Sequence, residues 1–81
     1  MKATVHVMLK PAVLDPQGEA IKKAIHNLGM TAVRSARIGK IIELDIDSDD
    51  EARARKQLEQ ISHDLLSNPV IENYKIEITP K

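Results

Sequence analysis

The residues with most capacity for chemistry lie in two turns. Leu9-Lys-Pro-Ala-Val-Leu-Asp-Pro-Gln-Gly18 carries a lysine, two prolines and a glycine between an alternating segment and a helical one, the place for a phosphate cradle. Such a cradle needs several glycines, so that backbone amides approach the anion, and usually Gly-Lys-Ser/Thr at the helix start. Here Gln17-Gly18-Glu19 puts a carboxylate there instead. Asp15 as a cap for free first-turn amides, with Pro16 at the first helical position, explains the stretch without a ligand. Arg37-Ile38-Gly39-Lys40 is the better anion candidate, because a tight turn offers free amides and two cations could share an oxyanion. Glycine for backbone shape, with exposed cations for solubility or partner contact, is the simpler account.

The other reactive side chains are scattered. His6, His26 and His63 have no metal-ligand spacing and fall off the apolar stripes of their segments, so they are expected at the surface. Asp49, Asp50 and Glu51 form an exposed helix start, where no carboxyl acquires the raised pKa of a general acid. With no cysteine there is no thiolate nucleophile, thiolate metal site or disulfide. No catalytic, cofactor-binding or metal-binding residue is predicted. The 12 basic and 12 acidic residues cancel, so no net field draws the chain to nucleic acid or an anionic membrane. The single aromatic, Tyr74, falls on an inward strand position, which argues against RNA-base stacking.

The elements that must position these turns follow from hydrophobic period. Ala3, Val5, Val7 and Leu9 lie on one side of an alternating strand that ends at Lys10-Pro11. Ile21, Ala24, Ile25 and Leu28 form the stripe of a first helix, which begins after Asp15 and is capped by Gly29, with Glu19 and Lys23 as an exposed pair. Val33 to Asp47 reads as extended, too long for one ordinary strand of about five or six residues, with Gly39-Lys40 midway. A two-residue hairpin at Gly39 is favoured over a single strand with a bulge. Ser48 and Glu51 suggest a capping box for a second helix with inner face Ala54, Leu58, Ile61 and Leu65, stopped by Asn68-Pro69. Tyr74, Ile76 and Ile78 face inward on a last strand.

The expected architecture is a single domain, residues 1–81. It is an α+β two-layer sandwich of ferredoxin-like-related β-α-β(β)-α-β order, with a mainly antiparallel sheet and two helices on one face. An 81-residue domain hides only about 60% of its unfolded surface, so its core is thin and a partner surface would help. The first nine residues lack the apolar centre of a signal peptide and no run approaches the roughly 20 residues of a membrane span, so a cytoplasmic protein is expected.

Four stretches in register resemble the small PurS subunit family of phosphoribosylformylglycinamidine (FGAM) synthase. They are Leu9 to Gly18, Ala24-Ile-His-Asn-Leu-Gly29, Val33 to Leu44, and Leu66-Ser-Asn-Pro-Val-Ile-Glu-Asn-Tyr74 with its final strand. Ala12 stands where the family pattern has glycine, and Asn73 where an acidic residue is commoner. The resemblance implies a non-catalytic connector in glutamine-dependent FGAM formation. It would bridge a glutaminase subunit, which releases ammonia, and a large synthetase subunit, which uses ATP and magnesium, and it would self-associate into dimers or tetramers. Arg37, Gly39, Lys40, Asn68 and Pro69 are the expected partner contacts, since shaped polar protrusions dock better than a solvated helix face. The alternative is a free-standing regulatory domain of the amino-acid-binding type, with a ligand held between subunits.

Overall fold

A computed structural model describes residues 1–79. Strand β1 (Lys2–Leu9) is followed by helix α1 (Pro16–Asn27), strand β2 (Gly39–Asp45), helix α2 (Glu51–Ile61) with a π-helical turn (Ser62–Leu66), and strand β3 (Glu72–Thr79). The sheet order is β2-β1-β3 and both pairings are antiparallel, with Val5 opposite Ile42 on one side and Ile76 on the other. This is the two-layer α+β arrangement that the hydrophobic periods predict.

Alternation puts Ala3, Val5 and Val7 on the covered face of β1, all buried, and α2 lies over this face against β3. Ala54 and Leu58 complete the core. Each fully buried valine or leucine contributes about 1.5–3 kcal/mol, so this short list leaves the fold modestly stable. The opposite face carries Thr4, His6, Glu43, Lys75 and Glu77, and His6 Nε2 sits 2.7 Å from Glu77 Oε1 across the strands.

Three local expectations are corrected. The cap of α2 is Asp50, whose carboxylate accepts from the Arg53 N–H at 3.1 Å, while Ser48 Oγ accepts from the Asp50 N–H; the helix is therefore capped two residues later than Ser48, by a single side-chain bond and not by the reciprocal box that Ser48 and Glu51 suggest. The inner row of α2 runs Ala54, Leu58, Ser62 at the ordinary i, i+4 spacing of an α-helix, and a π turn closed by Ser67 N–H to the Ser62 carbonyl follows it; Ile61 and Leu65 are exposed. Glu19 pairs with Lys22, one residue short of Lys23.

Gly39 forms neither a hairpin nor a bulge. It is the first residue of β2, opposite Met8, and an added Cβ would stand 2.7 Å from the Val7 carbonyl oxygen. The glycine serves close strand approach, and the residues before it, 33–38, are irregular and belong to no strand.

Helix α1 ends as predicted. Gly29 adopts φ 102°, the Met30 N–H reaches the Ile25 carbonyl and the Gly29 N–H reaches the His26 carbonyl, the paired bonds of a Schellman motif. Yet α1 makes only marginal contact with the strands. Its stripe stays open: Ile21 is 42% and Leu28 88% exposed. Helix and return segment instead hold one another, through His26 Nε2 to the Val33 carbonyl at 2.6 Å. The chain measures 49 × 27 × 14 Å, with a radius of gyration of 16.2 Å against about 12 Å for a compact domain of this length.

Candidate functional site

Antiparallel pairing gathers three chain turns at one end of the sheet. Leu9 closes β1, Gly39 opens β2 and Glu72 opens β3, with Met8 opposite Gly39 and Leu9 opposite Glu72. Arg37, Gly39 and Lys40 therefore share an end with Asn68 and Pro69, although some thirty residues separate them in sequence. The Arg37 guanidinium donates to the Leu9 carbonyl and the Lys10 N–H donates to the Ile71 carbonyl, so the end of β1 ties the two turns together.

The Asn68-Pro69 corner is shaped by its own bonds. The Asn68 N–H donates to Glu72 Oε1 at 2.6 Å, Asn68 Oδ1 accepts from the Val70 N–H at 3.2 Å, and its carbonyl accepts from the Glu72 N–H at 2.8 Å. Between the turns lies an open cleft of about 580 Å³, bordered by Leu9, Asp15, Ile38, Lys40 and Glu72.

Asp15 organises the floor. Its Oδ1 accepts from the Gly18 N–H at 2.9 Å, the cap that the sequence predicts, and its Oδ2 accepts from the Ile38 N–H at 2.9 Å, a contact across 23 residues with no local signal. These bonds, Ile38 first and Gly18 second, hold the carboxyl below its usual 3.8, with the nearby Arg37 adding to the effect. A carboxylate held ionised and engaged at both oxygens is a structural fastener, not a general acid. Gly18 is buried beside it, where an added Cβ would collide with the Ala36 carbonyl oxygen. That close approach, rather than a phosphate, explains the glycine of the first turn.

The histidines are held singly: His6 by Glu77, His26 by a backbone carbonyl and His63 by Asp64 at 2.9 Å. Among the described residues no three His, Cys, Asp or Glu side chains converge as metal ligands. Tyr74 points to the helix side, its hydroxyl 3.4 Å from the Glu59 carbonyl, so it gives the open sheet face no stacking surface.

Fold and site together define a small α+β domain whose shaped surface is an end of paired turns. Residues 2–80 match the family model PurS, phosphoribosylformylglycinamidine (FGAM) synthase. The PurS subunit of Synechocystis sp. is 48% identical over 93% of this chain and 75% of its own length, and that of Bacillus subtilis 40% identical over 95% and 90%. Among solved structures, Methanocaldococcus jannaschii PurS superposes with a TM-score of 0.88 at 34% identity, covering 99% of this chain and 96% of that one. A chain of the PurLQS structure from Thermotoga maritima superposes at 0.84 with 29% identity, covering 94% and 93%. The chain belongs to the PurS family of FGAM synthase subunits. Membership replaces the reading as a free-standing regulatory domain.

Proposed function

We propose that this chain is the non-catalytic connector of a glutamine-dependent FGAM synthase in the cytoplasm. As a single domain over residues 1–81, it joins a glutaminase subunit to a large synthetase subunit so that ammonia released by the first reaches the second. ATP and magnesium act on the synthetase, where the formylglycinamide ribonucleotide amide is activated, and this chain supplies no acid, base or nucleophile. The observation that carries the reading is the likeness, over nearly the whole of both chains, to one chain of a PurLQS assembly. Its physical counterpart is a thin-cored, elongated chain with exposed apolar side chains such as Leu28 and Val70, which favours burial against other subunits.

The docking surface in this reading is the end that carries Arg37, Gly39, Lys40, Asn68 and Pro69. Two rigid turns flanking an open cleft present fixed polar groups at little ordering cost on binding. In this reading the chain also self-associates, as a dimer or a tetramer.

Variants Lys40→Ala and Asn68→Ala, added to the two catalytic subunits, test the docking end. Glutamine-dependent FGAM formation is expected to fall while formation from added ammonium chloride is retained, because only transfer between subunits is impaired. Unchanged glutamine-dependent activity and assembly in both variants would rule out this surface.

A further inference from the structure

The cleft between the two turns has a chemistry of its own. Lys40 stands opposite Val7, and Glu72 opposite Leu9, so all four side chains leave the covered side of the sheet. Two strand spacings separate Lys40 on β2 from Glu72 on β3, roughly 10–12 Å with their offset along the strands. The floor between them is apolar: Val7 is buried, Leu9 and Ile38 are half-buried, and Pro16 borders the side toward α1. Helix α1, the element beside this floor, barely touches the strands, so the floor stays open.

The charged groups at the rim are not equally free. Both Asp15 oxygens accept backbone N–H groups, and Glu72 Oε1 accepts from the Asn68 N–H at 2.6 Å. Lys40 is exposed and, among the described residues, forms no ion pair. The cleft therefore presents an apolar floor and one unpaired cation, with its walls braced by backbone bonds. A free small molecule is a poor match, because its pocket ordinarily encloses about 70–90% of the ligand, whereas this cleft stands open to solvent. A protein loop brings its own cover and can answer both features, with an apolar side chain for the floor and a carboxylate for Lys40.

We propose that the cleft receives a large apolar side chain from a loop of a catalytic subunit, with a neighbouring carboxylate of that loop paired to Lys40; this deepens the docking reading above and rests on it. The anchor then lies at the middle of the docking end, between the Arg37–Lys40 and Asn68–Pro69 turns. An apolar group desolvated at the centre of a polar rim is the arrangement that carries most of the binding energy in protein interfaces. The two turns set its position, and the Lys40 pair sets its orientation.

Titration of the full chain into fixed amounts of the glutaminase and synthetase subunits tests this, with glutamine-dependent FGAM formation as the readout and the half-maximal chain concentration as the measured quantity. Ile38→Ser removes part of the floor while keeping the backbone bond to Asp15, and Gln17→Trp obstructs the cleft from its exposed rim. Each should raise the half-maximal concentration about tenfold or more. Lys40→Gln should raise it too and should flatten its dependence on salt, a change that a purely structural role would not produce. Wild-type behaviour of both Ile38→Ser and Gln17→Trp would overturn the proposal; if Asn68→Ala still weakens the titration, the docking end stands without the anchor. Loss of self-association by Gln17→Trp in sedimentation would assign the cleft to a second copy and overturn the proposal equally. FGAM formation that needs no added chain would remove the functional reading and the anchor with it.

Discussion

The Asp15 carboxylate and the Ile38 backbone N–H meet at 2.9 Å and fasten the start of α1 to the entry of β2. This bond joins the first loop to a segment 23 residues later and ties α1 to the chain entering β2. Because it also caps α1 through Gly18, one side chain sets both a helix start and a tertiary contact.

The fastener predicts a pH dependence. The carboxyl of Asp15 is held below its ordinary 3.8 in the folded chain, so its contribution is fully present above that value and is lost as pH falls through the lowered one. Asp15→Asn should lower the melting temperature at pH 7, and the gap to wild type should narrow below about pH 4. Thermal melts across pH 2–7 provide the check, and a gap that stays constant down to pH 2 would contradict the assignment.

Gly18→Ala should destabilise despite alanine's better helix propensity of about 1 kcal/mol. The new methyl meets the Ala36 carbonyl, and relieving such overpacking typically costs about 1–3 kcal/mol. A melting temperature at or above wild type would show that the backbone at Ala36 yields freely.

Two leucines should behave differently. Leu58 is 3% exposed, so Leu58→Ala is expected to cost about 2–5 kcal/mol in urea unfolding. Leu28→Ser removes an exposed group and should leave unfolding of dilute monomer nearly unchanged while weakening self-association in sedimentation. Equal losses of monomer stability would place Leu28 in the monomer's own core.

Ser62 offers the reverse test. It is buried, and its hydroxyl has no hydrogen-bond partner. Ser62→Ala should therefore raise stability by about 1 kcal/mol, measured by the same urea unfolding, by removing an unpaired polar group. A loss would mean that the hydroxyl is satisfied in solution.

The readable features were local or periodic. The Asp15 cap, the Gly29 motif and the inward sets Ala3-Val5-Val7 and Tyr74-Ile76-Ile78 depend on neighbours along the chain, and the structure has each of them. The hairpin expectation failed because Gly39 has two uses. Glycine permits a turn and also permits a close strand neighbour, and only the Val7 backbone across the sheet decides between them. The Asp15–Ile38 bond was likewise hidden, since it joins residues that only the tertiary path brings together. At the docking end, each turn was legible as a turn, whereas their meeting followed from strand order.

The connector role is tested most directly by FGAM formation from glutamine, measured with the glutaminase and synthetase subunits in the presence and absence of this chain, alongside the chain by itself. Product should form efficiently only when all three are together, and the chain alone should consume neither glutamine nor ATP. An equal rate without it, or turnover by the chain alone, would contradict the account.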